Sequence, residues 1–316
     1  LGKGVKAISP TTLVILFICT ALSSCIEFEN QELIYHHDEE KDEIRMTLNY
    51  QGIFGNLDKG QNTQNNPEDM ATKDRLNQKQ ISQLESVLEQ KRAFFFSNWI
   101  FEYDPRTLSE ILTKDKPTSK GSVFGKPEKE LIQSLIKEIK VENVGFYKNE
   151  KGQLCAAQTF KISNSSHIIA QANEVLGRQL KARIQEMREE RNKKVPSAFT
   201  TATIDLIETK VREGFPFIKI QGNLITITLI MTPPDQERIS KSTLKDLPKG
   251  ARIEFQDEAL LIKIGTKHAQ QSRLSKKCFE GYWPNALNHI QANHKKLMRK
   301  PRKVESRLKK FLSGTD

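Results

Sequence analysis

The sequence predicts an α+β fold in which antiparallel hairpins pack against amphipathic helices. First, apolar residues alternate with polar ones at Ile44, Met46, Leu48 and Tyr50, and again at Ile225, Ile227, Leu229 and Met231. That period of two marks a strand with one covered face. Second, Ile168, Ile169, Ala172, Val175, Leu176, Leu180, Ile184 and Met187 recur at helical spacing. Third, strand-like runs come in pairs joined by short polar turns, with helical runs between the pairs. That order favours antiparallel pairing with packed helices.

Residues 33–37 and 44–50 read as a hairpin, with residues 38–42 as its polar turn. Residues 55–74 are rich in Asn, Gln and Asp with few apolar side chains, and read as a disordered loop. Leu76, Ile81, Leu84, Val87 and Leu88 set a helix over 75–98. The aromatic group Phe94, Phe95, Phe96, Trp99 and Phe101 reads as core. Asp104 followed by Pro105 is an N-cap with proline at the first helical position, opening a short helix to Leu112. Residues 113–126 form a second polar loop, and Leu131, Ile132, Leu135, Ile136 and Ile139 mark a helix over 127–140.

A hairpin follows, 141–147 against 154–162. Residues 163–166 supply N-cap candidates for the long helix, whose charged last turns over 187–194 are expected in solvent. Pro196 starts another helix with Phe199, Ala202, Leu206, Ile207 and Val211 inward. Two more hairpins complete the body, 215–220 with 224–231 and 251–255 with 259–264. Their buried face is expected to hold Ile225, Ile227, Leu229 and Met231, with Thr226 and Thr228 on the polar face. Whether the N-terminal strands join this meander in one sheet stays open. Beyond Gly265, a helix over 284–298 is marked by Leu287, Ile290, His294 and Leu297, and a shorter amphipathic stretch by Val304, Leu308, Phe311 and Leu312.

The charge is unevenly spread. The 316 residues carry 50 Lys and Arg against 39 Asp and Glu, a formal net charge of +11. Residues 267–316 contribute +10 of this and residues 25–266 contribute −1. The chain therefore divides into a near-neutral body (25–266) and a basic C-terminal tail (267–316). Lys295, Lys296, Arg299, Lys300, Arg302, Lys303, Arg307, Lys309 and Lys310, interleaved with Leu, Val and Phe, are candidates to bind an anionic surface as a weakly ordered segment. Anionic lipid, polysaccharide or cell wall are the matching partners. The same composition also neutralises nucleic-acid phosphates.

The N-terminus has the layout of an export signal. Lys3 and Lys6 precede an uncharged apolar run over residues 13–22, ten residues long. Spanning a bilayer takes roughly 20. Leu22-Ser23-Ser24-Cys25 then resembles the lipobox of bacterial lipoproteins. The resemblance covers residues 1–25 only. It implies that residues 1–24 are a signal peptide cut before Cys25, that the Cys25 thiol carries a diacylglyceryl group, and that its amine is acylated, for example with palmitate. Membrane lipid is then a partner through Cys25, and the location is the cell envelope. Ile26, where an Asp would retain such a protein in the inner membrane, leans towards the outer membrane. In an oxidising envelope Cys155 and Cys278 are candidates for a disulfide. The alternative is that Cys155 simply packs within its strand.

No catalytic signature emerges. There is no G-x-S-x-G, phosphate-binding loop, H-E-x-x-H or C-x-x-C, and no cofactor is implied. His36 and His37 are adjacent in a strand and so point to opposite faces, which suits a solvated hairpin tip better than a metal site. The reading is a lipid-anchored envelope lipoprotein with a structural or binding role, leaning away from an enzyme. The competing readings are an envelope enzyme with an unrecognised site, and a cytoplasmic nucleic-acid-binding protein in which the N-terminus is not a signal.

Overall fold

The structure, a computed structural model, describes residues 26–55, 86, 89–96, 102–114, 124–192, 199–237, 247–278 and 298–315. Residues 1–24, expected as a signal peptide, Cys25, nearly all of loop 55–74, and residues 279–297 lie outside them. In chain order the elements are β1 (Ile26–Asp38), β2 (Glu43–Gly55), β3 (Ala93–Phe94), β4 (Glu102–Tyr103), α1 (Pro105–Lys114), α2 (Lys126–Glu138), β5 (Ile139–Lys148) and β6 (Leu154–Ser163). Then come α3 (Ser165–Asn192), α4 (Thr201–Arg212), β7 (Ile218–Gln221), β8 (Leu224–Ile230), α5 (Pro233–Glu237), β9 (Ala251–Gln256), β10 (Ala259–Gly265), β11 (Ser272–Lys277) and α6 (Pro301–Ser313). The fold is α+β.

The N-terminal strands and the C-terminal meander form separate antiparallel sheets. One has the order β11-β1-β2-β6-β5 and the other β7-β8-β10-β9. The period-two pattern of β2 sets the first sheet's faces. Ile44, Leu48 and Tyr50 join Leu33, Tyr35, Phe160 and Leu154 in one core, which Leu108 of α1 and Ile132 of α2 complete. The opposite face carries Glu43, Arg45, Thr47 and Asn49, in register with Ser163, Lys161, Thr159 and Ala157.

Sequence 75–98 predicts helix, but Ala93–Phe94 is strand β3, paired with β4. Buried amide and phenol groups hold it there. The Phe94 N–H donates to Tyr50 Oη at 3.1 Å, and Phe94 O accepts from Gln31 Nε2 at 2.6 Å. The long helix is capped from a distance. Asp42, at the β1–β2 turn, accepts from the Ser166 N–H at 2.8 Å and the Ser165 hydroxyl at 2.7 Å. A carboxylate at a helix N-terminus satisfies open N–H groups and complements the helix dipole. The charged end of α3 does not simply project: Met187 is buried, and Arg188 pairs with Asp205 of α4 at 2.7 Å.

The second sheet corrects a sequence expectation. Its helix-covered face joins Ile230, Ala259, Leu261 and Phe217 to Ile184 and Met187 of α3 and Ile204 and Ile207 of α4. Thr228 lies on that side, 6% exposed, whereas Leu229 is 40% exposed. The alternation is real, but the helices settled on the threonine side. They did so because Ile230, Ala259 opposite it and Leu261 opposite Thr228 supply the apolar surface there.

Residues 267–316, read as a tail, enter the body twice. β11 pairs with β1 over Asn30↔Lys277 to Tyr35↔Ser272, burying Leu274. α6 packs on the polar face of the first sheet, with Val304 and Leu308 against Val144, Tyr147, Cys155 and Ala157.

Candidate functional site

Among the described residues, α6 concentrates exposed positive charge. Pro301 opens the helix, and Gly314 closes it in the left-handed region at φ 71°. The Gly314 N–H donates to Phe311 O and the Thr315 N–H to Lys310 O, satisfying carbonyls that the helix end leaves open. Glycine is required here for a second reason as well. A Cβ at this position would fall 2.3 Å from the Arg45 guanidinium.

Val304, Leu308 and Leu312 recur every four residues and turn inward, Val304 and Leu312 being fully buried. The same spacing leaves Arg302, Lys303, Arg307, Lys309 and Lys310 exposed, and Arg299 and Lys300, just before the helix, are exposed as well. Glu305 is the acid among them, and Arg307 reaches Glu142 of β5 at 3.2 Å. The result is a cationic ridge on a packed helix, where the sequence reading expects a weakly ordered segment. Lys295 and Lys296 lie outside the described residues.

The ridge is seated by ionic groups that the sequence reading did not single out. Arg45 of β2 is 4% exposed. Its Nη1 donates to Leu312 O at 3.2 Å, placing a cation at the helix C-terminus, where the helix dipole favours one. Nε pairs with Glu43 at 2.6 Å and Nη2 with Asp38 at 2.9 Å. Glu43 also pairs with Lys161 of β6. Burial alone would raise both carboxyls. For Glu43 the bonds from Lys161 and Arg45 outweigh it, and for Asp38 those from Lys41 together with the Arg45 charge, holding each below the ordinary carboxylate range. The signal in the sequence was only the polar half of an alternation. Glu43 and Arg45 are two apart and therefore share a face.

His36 and His37 do lie on opposite faces, and Glu39, Glu40 and Lys41 at the turn are exposed as expected, but both imidazoles are engaged. His37 Nδ1 lies 3.1 Å from Gly222 O, and His36 Nδ1 lies 2.8 Å from Gln270 O. The His37 N–H donates to Asn223 Oδ1 at 2.6 Å, and Tyr35 Oη donates to Asn223 O at 2.7 Å. The tip thus docks the first sheet onto the β7–β8 turn. Among the described residues, no group of three or more His, Cys, Asp or Glu is placed to hold a metal ion.

Cys155 and Cys278 are not bonded to each other. Cys155 sits in β6, opposite Gln51 of β2, while Cys278 follows β11 and donates its N–H to Glu29 of β1. Three strand spacings, about 14 Å, separate them, beyond the roughly 7 Å limit for a disulfide. They also serve different faces: Cys155 packs under α6 and Cys278 against the main core. Among the described residues no helix is long and apolar enough to cross a membrane. Comparison with protein families, with characterised proteins and with solved structures finds no match to this chain.

Proposed function

We propose that the chain is a lipid-anchored lipoprotein of a bacterial envelope, held through Cys25, in which α6 presents a rigid cationic ridge to an anionic lipid surface. Its role is binding or structural. The observation that carries the second half is the split of α6, with Val304, Leu308 and Leu312 on the body and five exposed Lys and Arg side chains turned outward, Arg299 and Lys300 leading into it. Near an anionic leaflet each such charge contributes about 1 kcal/mol, falling off within a Debye length. A helix already folded on the body pays no further ordering entropy when it binds.

The first half rests on the lipobox and the preceding apolar run, and β1 begins at Ile26, the residue after Cys25. The ridge starts level with the middle of β1 and ends level with His36, where Arg45 meets Leu312. Arg299 donates its N–H to Phe146 O, and Phe146 lies in a row with Ala156, Tyr50 and Gln31. Gln31 is five residues along β1 from Ile26, about 17 Å. An anchor at Cys25 would keep the whole body, and the ridge with it, at the membrane and so raise the effective concentration of headgroups.

Two measurements test the reading. Labelled palmitate should enter the parent in its native cell and not Cys25→Ala; a parent that never takes up label refutes the anchor. The triple variant Lys303→Glu, Lys309→Glu, Lys310→Glu should lose binding to phosphatidylglycerol vesicles at an unchanged Tm, and raised salt should mimic it. Equal binding of parent and variant would refute the ridge.

A further inference from the structure

A groove of about 630 Å³ lies between the first half of α3 and the turn that links α4 to β7. Its walls are Ile169, Ala170, Val211, Phe215, Pro216 and Phe217. The volume falls within the range of small-molecule sites, roughly 300–1,000 Å³. Its geometry is fixed by a two-bond clamp: Asn173 Nδ2 donates to Ile218 O and the Ile218 N–H donates to Asn173 Oδ1, both at 2.8 Å. The edge-to-face pair Phe215–Phe217, with centroids 5.5 Å apart, stiffens the far wall.

Gly177 forms part of the groove and has no internal explanation. It sits in the middle of a 28-residue helix, where glycine costs stability relative to alanine. Its backbone is not in the left-handed region, and a Cβ added there would meet nothing within 4 Å. Neither conformation nor packing within the described residues demands it. What its missing side chain does provide is open depth in a groove with apolar walls. At one end the charge is positive. Lys181 lies one turn beyond Gly177 on the same helix face, and Arg178 is beside it with Nη1 3.1 Å from Glu128. Glu174 is the opposing charge, one turn earlier.

We propose that this groove binds a free long-chain carboxylate, its hydrocarbon lying over Gly177 against Phe215 and Phe217 and its head group meeting Lys181 and Arg178. Apolar walls offer a sugar or nucleotide few partners, and the cationic end selects an anion over a neutral lipid. The proposal uses the body alone and stands or falls independently of the anchor and the ridge.

The test is calorimetric titration of dodecanoate, with dodecanol as the neutral control, into the purified full-length chain carrying Cys25→Ser. One saturable site per chain is expected. Gly177→Leu fills the groove and should weaken dodecanoate at least about tenfold while raising Tm, because a good helix former replaces glycine. Lys181→Ala should weaken dodecanoate several-fold and leave dodecanol unchanged. The proposal is overturned if the parent shows no saturable uptake, if Gly177→Leu binds as the parent does, or if Lys181→Ala has no effect on the carboxylate.

Discussion

Strands β2 and β8 carry the same sequence pattern and meet different fates. In β2 the alternating set Ile44, Leu48 and Tyr50 is buried, and the polar set between them faces α6. In β8 the expected core set is divided: Met231 is buried and Ile225 packs on the first core, but Leu229 is 40% exposed, while Thr228 and Ile230 on the other side are each 6% exposed. A period of two identifies a strand and separates its two faces. It does not say which face a helix will cover when both hold apolar residues. Sheet-wide context decides: in β8 the helix side gains Ala259 and Leu261 from β10, and in β2 the core side gains the apolar residues of β1 and β6.

The largest effect that tests this contrast comes from the polar face of β2. Arg45→Ala leaves the buried Glu43 and the half-buried Asp38 without their shared cation and removes the cap on α6. A loss of about 3–5 kcal/mol in urea unfolding is expected. A loss under about 1 kcal/mol would mean that water reaches this face despite α6.

In the second sheet, neighbouring residues should behave oppositely. Ile230→Ala should cost about 2–5 kcal/mol and Leu229→Ala under about 1 kcal/mol. Equal costs would show that something covers both faces.

The Asp42 cap predicts a pH signature. Burial would raise this carboxyl, but hydrogen bonds from Ser166 and Ser165 outweigh it and lower its pKa. A depressed carboxyl stabilises the fold above its unfolded pKa of about 3.9, and the contribution is lost as pH falls through the lower folded value. The Tm difference between the parent and Asp42→Asn should therefore be full above about pH 5 and shrink on acidification. A constant difference from pH 6 to pH 2 would remove ionisation from the explanation.

The smallest effect is chemical. Burial raises the pKa of the Cys155 thiol, and the side chain is fully enclosed, whereas Cys278 is only half-buried. Iodoacetamide should modify Cys278 in the native protein and reach Cys155 only on unfolding. Modification at equal rates would mean that α6 lifts readily from the sheet.

Much of the body is legible in the sequence because the signals are local. The β5–β6 hairpin, the α2 stripe and the Asp104-Pro105 helix start all follow from residues within one turn or one strand. β11 is not legible, since Ser272, Leu274 and three bases give an edge strand too polar to register as one. Nor is the seat of α6. Its inward stripe is evident at Val304, Leu308 and Leu312, yet Arg45, Glu43 and Lys161, which receive it, lie far away in sequence and look like an ordinary polar face.

By itself, then, the sequence determined the α+β class, most elements, the near-neutral body and the concentration of positive charge near the C-terminus. Periodicity, capping and composition act over a few residues and need no partner. The tertiary structure alone decided that there are two sheets, that the hairpin tip at His36 and His37 joins them, that Cys155 and Cys278 lie on opposite faces, and that the basic segment is a seated helix. Each of these depends on which distant surfaces meet, and burial, ionic pairing and strand order are properties of that meeting.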